Sequence, residues 1–584
     1  MTITLTELVK RGLLSPLDRH FAMSLSRIGK ESDPMVELAA AVASRAVSRG
    51  HICADLNELH ENGWLADDDA ATDIKVPAPT AWLDALRKSH LVAEHADRSN
   101  PRPLVLDEQG RLYLFRYADY QHRLATQIRE RARMAERPDA TLLQDGLMRL
   151  FPGAEANDPQ RMAAELAVSR RFSVISGGPG TGKTYTVTKI LALLQEQALA
   201  QGSVPLRILL MAPTGKAAQR LGESIARTID NLKVEPRTRD AIPRTALTLH
   251  RGLGWTPRSA THFRHNADNP LAADVVIVDE ASMVDLALMT KLIEAIPRNG
   301  KLILLGDKDQ LASVEAGAIL GDIYEAGLKD CTVELTHSHR YDNQSGIGQL
   351  ARAVIAGDAD RAMHALATAN RVAIHENVTP ADLGRALLPV VGSAFANLRR
   401  AAPAEKLELL LGFRILTALR SGPFGTTQCN PMVEMLLEKA GHLFLDRDWY
   451  EGRPIMVTSN DYQLDLWNGD VGVIGRREEN APLEVFFEGR ERHTLRNFAP
   501  ARLPDHETVF AMTVHKSQGS EFGHVVLVLP DRPSPILTRE LVYTAITRAR
   551  HQVDIHGSEA VFRQALTRKV RRASGLADLL RVAS

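Results

Sequence analysis

Cysteine is scarce: three in 584 residues, at Cys53, Cys331 and Cys429, far apart in the chain. That excludes a disulfide framework and leaves no zinc-ligand spacing, which points to a reducing compartment. An excess of charge of either sign is also missing. Lys plus Arg number 71 and Asp plus Glu number 71, so the formal net charge is zero. A uniformly basic coat is excluded, and any nucleic acid must be held by local patches or backbone donors. No apolar run approaches the ~18 residues that span a bilayer. The first residues, MTITLTELVKRGLLS, lack the charged-then-apolar order of a signal peptide. A soluble, cytoplasmic protein is the expectation. The sequence shows no convincing nuclease constellation of carboxylates with a lysine.

What is present is ordinary globular composition, 44% apolar and 24% charged, with length for about four domains. Residues 1–110 read as a small, mainly helical unit. Asp33 can cap a helix whose first turn takes Pro34 and which Gly50 can end, with Val36, Ala39, Ala40, Ala43 and Val47 at helical spacing. A second helix is expected over Thr80–Val92. Asn100–Pro103 breaks the pattern, and PLVLDEQGRLYLFRY alternates around Gly110 as a hairpin would. Helix returns over Tyr120–Arg137. Its arginines 129, 131, 133 and 137 suit a solvated face better than a DNA surface.

From about residue 160 the chain alternates helical segments with short apolar runs: FSVIS (172–176), RILLMAP (207–213), DVVIVDE (274–280) and KLILLGD (301–307). Such runs fit strands buried on both faces of a parallel sheet, with ligands at their carboxyl ends. VFAMTV (509–514) and HVVLVLP (524–530) form a second set. Between the two sets, residues 452–500 alternate in short segments with turn signals, as a small β-barrel insertion would. The expected fold class is therefore α/β, with two parallel-sheet units, the second interrupted by a barrel.

Gly177-Gly178-Pro179-Gly180-Thr181-Gly182-Lys183-Thr184 matches the phosphate-loop pattern and lies between a strand and a helix, as that loop requires. Its glycines let backbone N–H groups curl round phosphate oxygens. Lys183 should reach the β- and γ-phosphates of ATP, and Thr184 should ligate Mg²⁺. The apolar run Val275–Val278 ends in Asp279, suited to Mg²⁺, and Glu280, suited to orient or deprotonate water. Asp285 reads as a cap or surface charge.

The segments ISGGPGTGKT, MAPTGKAAQRL, VVIVDEASMVD, LLGDKDQLASVEAG, HSHRYDNQSGIGQLA, LRSGPFGTTQCN, GRPIMVTSNDYQLDLWNGDVG, TVHKSQGSEF and LVYTAITRAR resemble those of superfamily-one helicases of the RecD family. The likeness is strong from about residue 140 to 584. It implies two RecA-like domains, at 111–325 and 326–584, with a small SH3-like β-barrel at about 448–505 and a short arm near 256–270. It also implies that Gln160 reads adenine, that Gln310 senses the γ-phosphate, and that Arg340 and Arg548 reach across the cleft. Glu521 would contact ribose, and Gly519 would approach the nucleotide by its backbone. Arg550 is the weaker competitor for the Arg548 role.

Polar residues in loops at strand ends suit phosphate contacts without base reading. The candidates are Pro213, Thr214, Lys216, Thr248, His250, Asn460, Thr513 and His515. In the arm, Arg258, His262, Arg264 and His265 lack acidic or cysteine partners for zinc, and Asp67–Asp69 and His337/His339 read as solvated. The resemblance implies a motor that moves 5′-to-3′ on single-stranded DNA in a heterotrimer with RecB-like and RecC-like subunits, acting in double-strand break repair and recombination. The first 110 residues would be the dock. A standalone RecD-like helicase and a mainly regulatory subunit are the alternative readings.

Overall fold

The computed structural model describes residues 4–63, 76–202, 204–256, 259–341, 345–376, 379–445, 448–461, 463–489 and 494–581. Asp67–Asp69 and Arg258 lie outside them.

The N-terminal unit is mainly helical: Leu5–Lys10, Pro16–Gly29, Pro34–Ser48, Leu56–Asn62 and Pro79–Lys88. The Pro34 helix starts as its sequence dictates, with Asp33 accepting from the Met35 N–H at 2.8 Å. Its alanine-rich face packs close on the neighbouring helix, and Ala39, Ala40, Ala41 and Ala43 are all buried. Trp82 centres this core, fully buried, with its indole N–H donating to the Met35 carbonyl at 2.9 Å. Four short strands complete the unit, in the order Ala54–Asp55, Arg111–Leu114, Leu104–Leu106, Val92–Ala93. Leu104–Leu106 and Arg111–Leu114 form the expected hairpin. The boundary expected at 110/111 therefore falls inside a hairpin turn, and the unit extends to Leu114.

The helix Phe115–Arg133 follows. Arg131 departs from the solvated reading. It is buried, and its guanidinium donates to the carbonyls of Ile296 at 3.0 Å and Ile293 at 3.3 Å, at the end of helix Leu286–Ala295.

The first large sheet has six parallel strands, in the order Thr332–Leu335, Phe172–Gly177, Lys301–Gly306, Val275–Val278, Ile208–Ala212, Leu247–Thr248. Alternate residues feed two cores. Phe172, Val174, Val276, Val278, Leu302 and Leu304 face helices Phe115–Arg133 and Leu286–Ala295. Ile175, Val275, Ile277, Ile303 and Leu305 face helices Ala140–Leu150, Pro159–Ser169 and Lys183–Ala200. Burial on both faces is why these runs carry no polar alternation. Strand Thr332–Leu335 belongs to this sheet, so the boundary expected at 325/326 lies too early.

The second sheet has five parallel strands: Val372–His375, Ala549–His556, Phe522–Val528, Phe413–Thr417, Ala511–Thr513. The insertion, Pro454–Thr508, lies in chain order between the strands Phe413–Thr417 and Ala511–Thr513. It is an antiparallel sheet in the order Leu495–Phe498, Glu484–Glu488, Val471–Gly475, Pro454–Val457, His506–Thr508. Its core is Ile455, Val457, Ile474, Val485 and Phe487, and among the described residues no pairing joins its outer strands.

The last residues leave the second sheet altogether. Leu576, Ala577 and Leu580 are buried in the core of the first domain, and the Ile52 N–H donates to the Ala573 carbonyl at 2.9 Å. The expectation that 326–584 forms one domain fails here, because this tail is apolar at the spacing of a helix that finds its partner on the other side of the molecule. Among the described residues no helix is long and apolar enough to cross a membrane.

Trp82→Ala removes the largest side chain of the N-terminal core and strands its hydrogen-bond acceptor. It should lower unfolding free energy by about 3–5 kcal/mol, read by urea denaturation; a loss well under ~1 kcal/mol would show that the core does not depend on it.

Candidate active site

Strand Phe172–Gly177 delivers the chain to the glycine-rich loop, and helix Lys183–Ala200 carries it away. Gly180 and Gly182 have φ of 79° and 83°, a region costly for other residues. A Cβ on Gly180 would sit 2.3 Å from Arg340 Cβ, and one on Gly182 would sit 2.7 Å from Gln160 Nε2. Glycine is therefore required both for the curl and for the close approach of Arg340 and Gln160. Thr181 Oγ1 donates to the Gly178 carbonyl at 2.8 Å. The Lys183 ammonium donates to the carbonyls of Gly177 and Gly178. Gln160 Nε2 donates to the Thr181 carbonyl at 3.2 Å. The His339 N–H donates to the Gly180 carbonyl at 2.8 Å, and Ser338 Oγ donates to that of Pro179 at 3.2 Å. His337 and His339 are exposed, as expected, yet the backbone of this segment clasps the loop.

Strand Val275–Val278 places Asp279 and Glu280 beside it. The Glu280 N–H donates to Asp279 Oδ1 at 2.9 Å, and Glu280 takes a left-handed φ of 52°. Burial raises the Asp279 carboxyl above its usual range, the Glu280 charge adds to this, and Lys183 opposes it. Asp285 caps helix Leu286–Ala295, accepting from the Leu288 N–H at 2.9 Å.

Strand Lys301–Gly306 ends at Asp307, a buried carboxylate that the sequence reading did not single out. It accepts from Gln310 Nε2 at 3.0 Å and from the hydroxyl of Tyr543, on the second domain, at 3.1 Å. Burial raises its carboxyl too. Thr544 Oγ1 accepts from the Leu311 N–H at 3.0 Å, and Gln518 Nε2 donates to the Leu311 carbonyl at 3.0 Å. The Gln310 segment is thus held by both sheets.

From the second domain's side come Arg548, Arg550 and Glu521. Arg548 is buried, with Nε donating to the Thr544 carbonyl at 3.2 Å. Glu521 pairs with Arg340, and with Arg550 at 3.1 Å. Burial alone would raise the Glu521 carboxyl, but Arg340, Arg220 and Arg550 pull it down to about 2. Arg340 Nη1 is buried with no hydrogen-bond partner among the described residues. A cleft of about 760 Å³ gathers Thr184, Asp279, Glu280, Arg340, Gly519, Glu521 and Arg548, together with Lys216 and Arg220. Arg220 was missed because an arginine one helical turn beyond a strand-end loop carries no signal until the opposite sheet is in place.

Of the DNA candidates, Lys216 lines this cleft, and Thr214 Oγ1 would meet a Cβ on Gly519 at 3.9 Å. Pro213 and Thr214 follow strand Ile208–Ala212, and Thr214 caps helix Gly215–Ile229 by accepting from the Ala217 N–H at 3.2 Å. Thr248 caps helix Leu249–Leu253. Asn460 accepts from the Asn468 N–H at 2.8 Å, and Thr513 from that of Lys516 at 3.4 Å. His250 meets Phe263 of the arm edge-on at 5.6 Å. Burial lowers both His250 and His515 below the usual imidazole range. Lys216 reaches the cleft from the first turn of helix Gly215–Ile229. Burial, with Arg220 and Arg414 nearby, lowers its ammonium to about 7.

Two parallel sheets that face each other across a phosphate loop, a paired Asp-Glu and two inward arginines define a two-domain motor of the helicase type, an ATP-dependent enzyme. Comparisons narrow this further. Residues 10–113 match the description "RecBCD enzyme subunit RecD, N-terminal domain", residues 160–316 an "AAA domain" and residues 508–555 a "UvrD-like helicase C-terminal domain". The RecBCD enzyme subunit RecD of Mycolicibacterium smegmatis is 41% identical over 98% of both chains. That of Haemophilus influenzae is 34% identical over 99% of both. The ATP-dependent RecD2 DNA helicase of Deinococcus radiodurans is 32% identical over 81% of this chain but only 59% of its own length. The chain belongs to the RecD family.

The arginine cluster makes stability depend on pH. Glu521 has an ordinary value of 4.5 and a folded value of about 2. Its contribution is complete above pH 4.5 and is lost as pH falls toward 2. Glu521→Gln should cost on the order of 2–3 kcal/mol at pH 7. The gap from the parent protein in urea unfolding should close as pH falls through that window; a gap independent of pH would contradict the ion-pair account.

Proposed function

We propose that the cleft hydrolyses ATP with residues from both sheets and that opening and closing of the two domains drives the chain 5′-to-3′ along single-stranded DNA. The observation that carries this is Arg340, which lines the cleft beside the phosphate loop and whose buried Nη1 has no hydrogen-bond partner among the described residues. A buried unpaired donor is costly, and a phosphate oxygen satisfies it.

In this reading the loop's N–H groups and Lys183 hold the β- and γ-phosphates, and Gln160 reads adenine. Glu521 accepts from ribose, and Gly519 leaves room for the nucleotide. Thr184 and Asp279 offer a hydroxyl and a carboxylate, the oxygen donors a hard cation prefers, so both suit Mg²⁺. The metal would neutralise charge between the β- and γ-phosphates. Glu280 orients the attacking water and takes its proton. Arg340 and Arg548 bear on the charge that develops as the bond breaks. Gln310 ties the γ-phosphate to Tyr543 through Asp307, so loss of that phosphate loosens the grip between domains.

DNA would cross the strand-end loops at Pro213–Thr214, Thr248–His250, Asn460 and Thr513–His515. Thr214 and Thr248 end one sheet's strands and Thr513 the other's, a track suited to backbone contacts without base reading. Family membership supports RecB-like and RecC-like partners and 5′-to-3′ travel in break repair. The match of residues 10–113 to a RecD N-terminal domain favours this over a standalone helicase. Helix Pro16–Gly29 offers a dock: Leu17 and Ile28 are 70% and 77% exposed. Truncation near Leu104 would be a poor test, because it strips Ile52 and Cys53 from the motor's own core.

Lys183→Gln should abolish ATP hydrolysis in a folded protein. Glu280→Gln should keep ATP binding but slow turnover by about 10²-fold or more; loss of binding in that variant would assign Glu280 a structural role. Arg548→Ala should lower kcat far more than it raises KM; an altered KM with unchanged kcat would remove it from the transition state. Leu17→Glu with Ile28→Glu should weaken co-purification with the two partner subunits while single-chain ATPase persists; undiminished assembly would move the dock elsewhere.

A further inference from the structure

The chain's tail joins three parts of the molecule within a few residues. The Val570 N–H donates to Glu540 Oε2 at 3.0 Å, on the helix that also bears Tyr543 and Thr544. Two residues later Arg572 turns inward. Its Nη2 donates to the Ser313 carbonyl at 3.0 Å, and its Nη1 lies at the margin of hydrogen bonding to the carbonyls of Arg49, 3.4 Å, and Glu315, 3.5 Å. The Ala573 N–H then donates to His51 Nδ1 at 2.9 Å. Beyond that, Ser574 Oγ donates to Asp322 at 2.8 Å and the Gly575 N–H donates to Gln121 at 2.9 Å.

Ser313 and Glu315 lie in the peptide that runs on from Gln310 and Leu311. Within it, Ser313 Oγ donates to the carbonyls of Glu315 and Gly317, at 2.9 and 3.0 Å. The Gly317 N–H donates to the Gly50 carbonyl at 3.0 Å. Gly50 has φ 84°, and a Cβ there would overlap Arg572 Nη1 at 1.2 Å. The N-terminal unit has left that space to the guanidinium. Burial lowers the His515 imidazole, and the Arg572 charge adds to it. A planar fork presents its donors at fixed spacing, which lets it span carbonyls from separate segments.

We propose that Arg572 is a positioning residue for ATP hydrolysis: it fixes the Leu311–Gly317 segment against the N-terminal unit and the second domain, and so keeps Gln310 in register with Asp307 and Tyr543. Arg572 touches no nucleotide; it acts through the peptide that follows Gln310. The inference rests on the reading of Gln310 as the γ-phosphate sensor.

The test uses the full chain, with ATP turnover measured with and without a single-stranded oligonucleotide. Arg572→Ala should reduce DNA-stimulated kcat by about fivefold or more while KM for ATP changes by less than about twofold. Arg572→Lys, which keeps one donor on Ser313, should recover a substantial part of the loss. Gly50→Ala, which crowds the same guanidinium from the other side, should mimic Arg572→Ala and add little to it in the double variant. Unchanged kcat in Arg572→Ala, or a loss that tracks a lowered unfolding midpoint and is not restored by lysine, would overturn the proposal. Gln310→Ala serves as the control. If it too leaves turnover unchanged, the sensor reading fails; if it impairs turnover while Arg572→Ala does not, only the role of Arg572 fails.

Discussion

Charges are held out of water where the two parallel sheets meet, and each can stay there only because a partner from another element reaches it. Asp307 is the clearest instance. It ends a strand of the first sheet, and of its side-chain donors Gln310 comes from its own loop and Tyr543 from the second domain. Glu521 is the mirror case, an acid of the second domain held ionised by Arg340 and Arg550 with Arg220 nearby. Desolvating an unpaired charge costs several kcal/mol. Separation of the sheets therefore has a price in exposed or orphaned groups, and a ligand that supplies charge of the right sign can change it. That is the physical basis for coupling phosphate chemistry to domain movement.

The same logic explains why the tail of the chain leaves its own domain. Leu576, Ala577 and Leu580 bury themselves in the first domain's core. Arg111, from the N-terminal hairpin, pairs with Asp578 at 2.6 Å and donates to the Ser574 carbonyl at 3.1 Å. The N-terminal unit is thus not a loose appendage. It shares a core with the motor through Ile52 and Cys53, and it is tied by the tail to the peptide beyond Gln310.

Much of this was legible in the sequence. The apolar runs at 172–176, 207–213, 274–280 and 301–307 all became adjacent parallel strands, because burial on both faces leaves a local signature. The phosphate loop and the Asp279–Glu280 pair were legible because their chemistry needs fixed spacing next to a strand. What was hidden depends on distant contacts. Asp307 and Tyr543 are 236 residues apart, and neither has a pattern of its own. Lys216 stood out by its loop position, but its place in one cleft with Arg220 and Asp279 depends on the opposite sheet. Arg131 looked solvated, but the end of a helix 162 to 165 residues later supplies its acceptors. The tail was assigned to the wrong domain because a short amphipathic helix does not announce which core it will join. The insertion's alternation specified strands and faces but not closure, which depends on the geometry of the outer strands.

The central claim is that one nucleotide is held by both sheets at once. A crystal structure with ADP and aluminium fluoride, in the presence of Mg²⁺, tests it most directly. The account predicts a fluoride bonded to Lys183 from the first sheet's loop and to the guanidinium groups of Arg340 and Arg548, with Glu280 facing the attacking water. A complex in which only the phosphate loop and Asp279 touch the nucleotide, with Arg340 and Arg548 still turned to their protein partners, would contradict it.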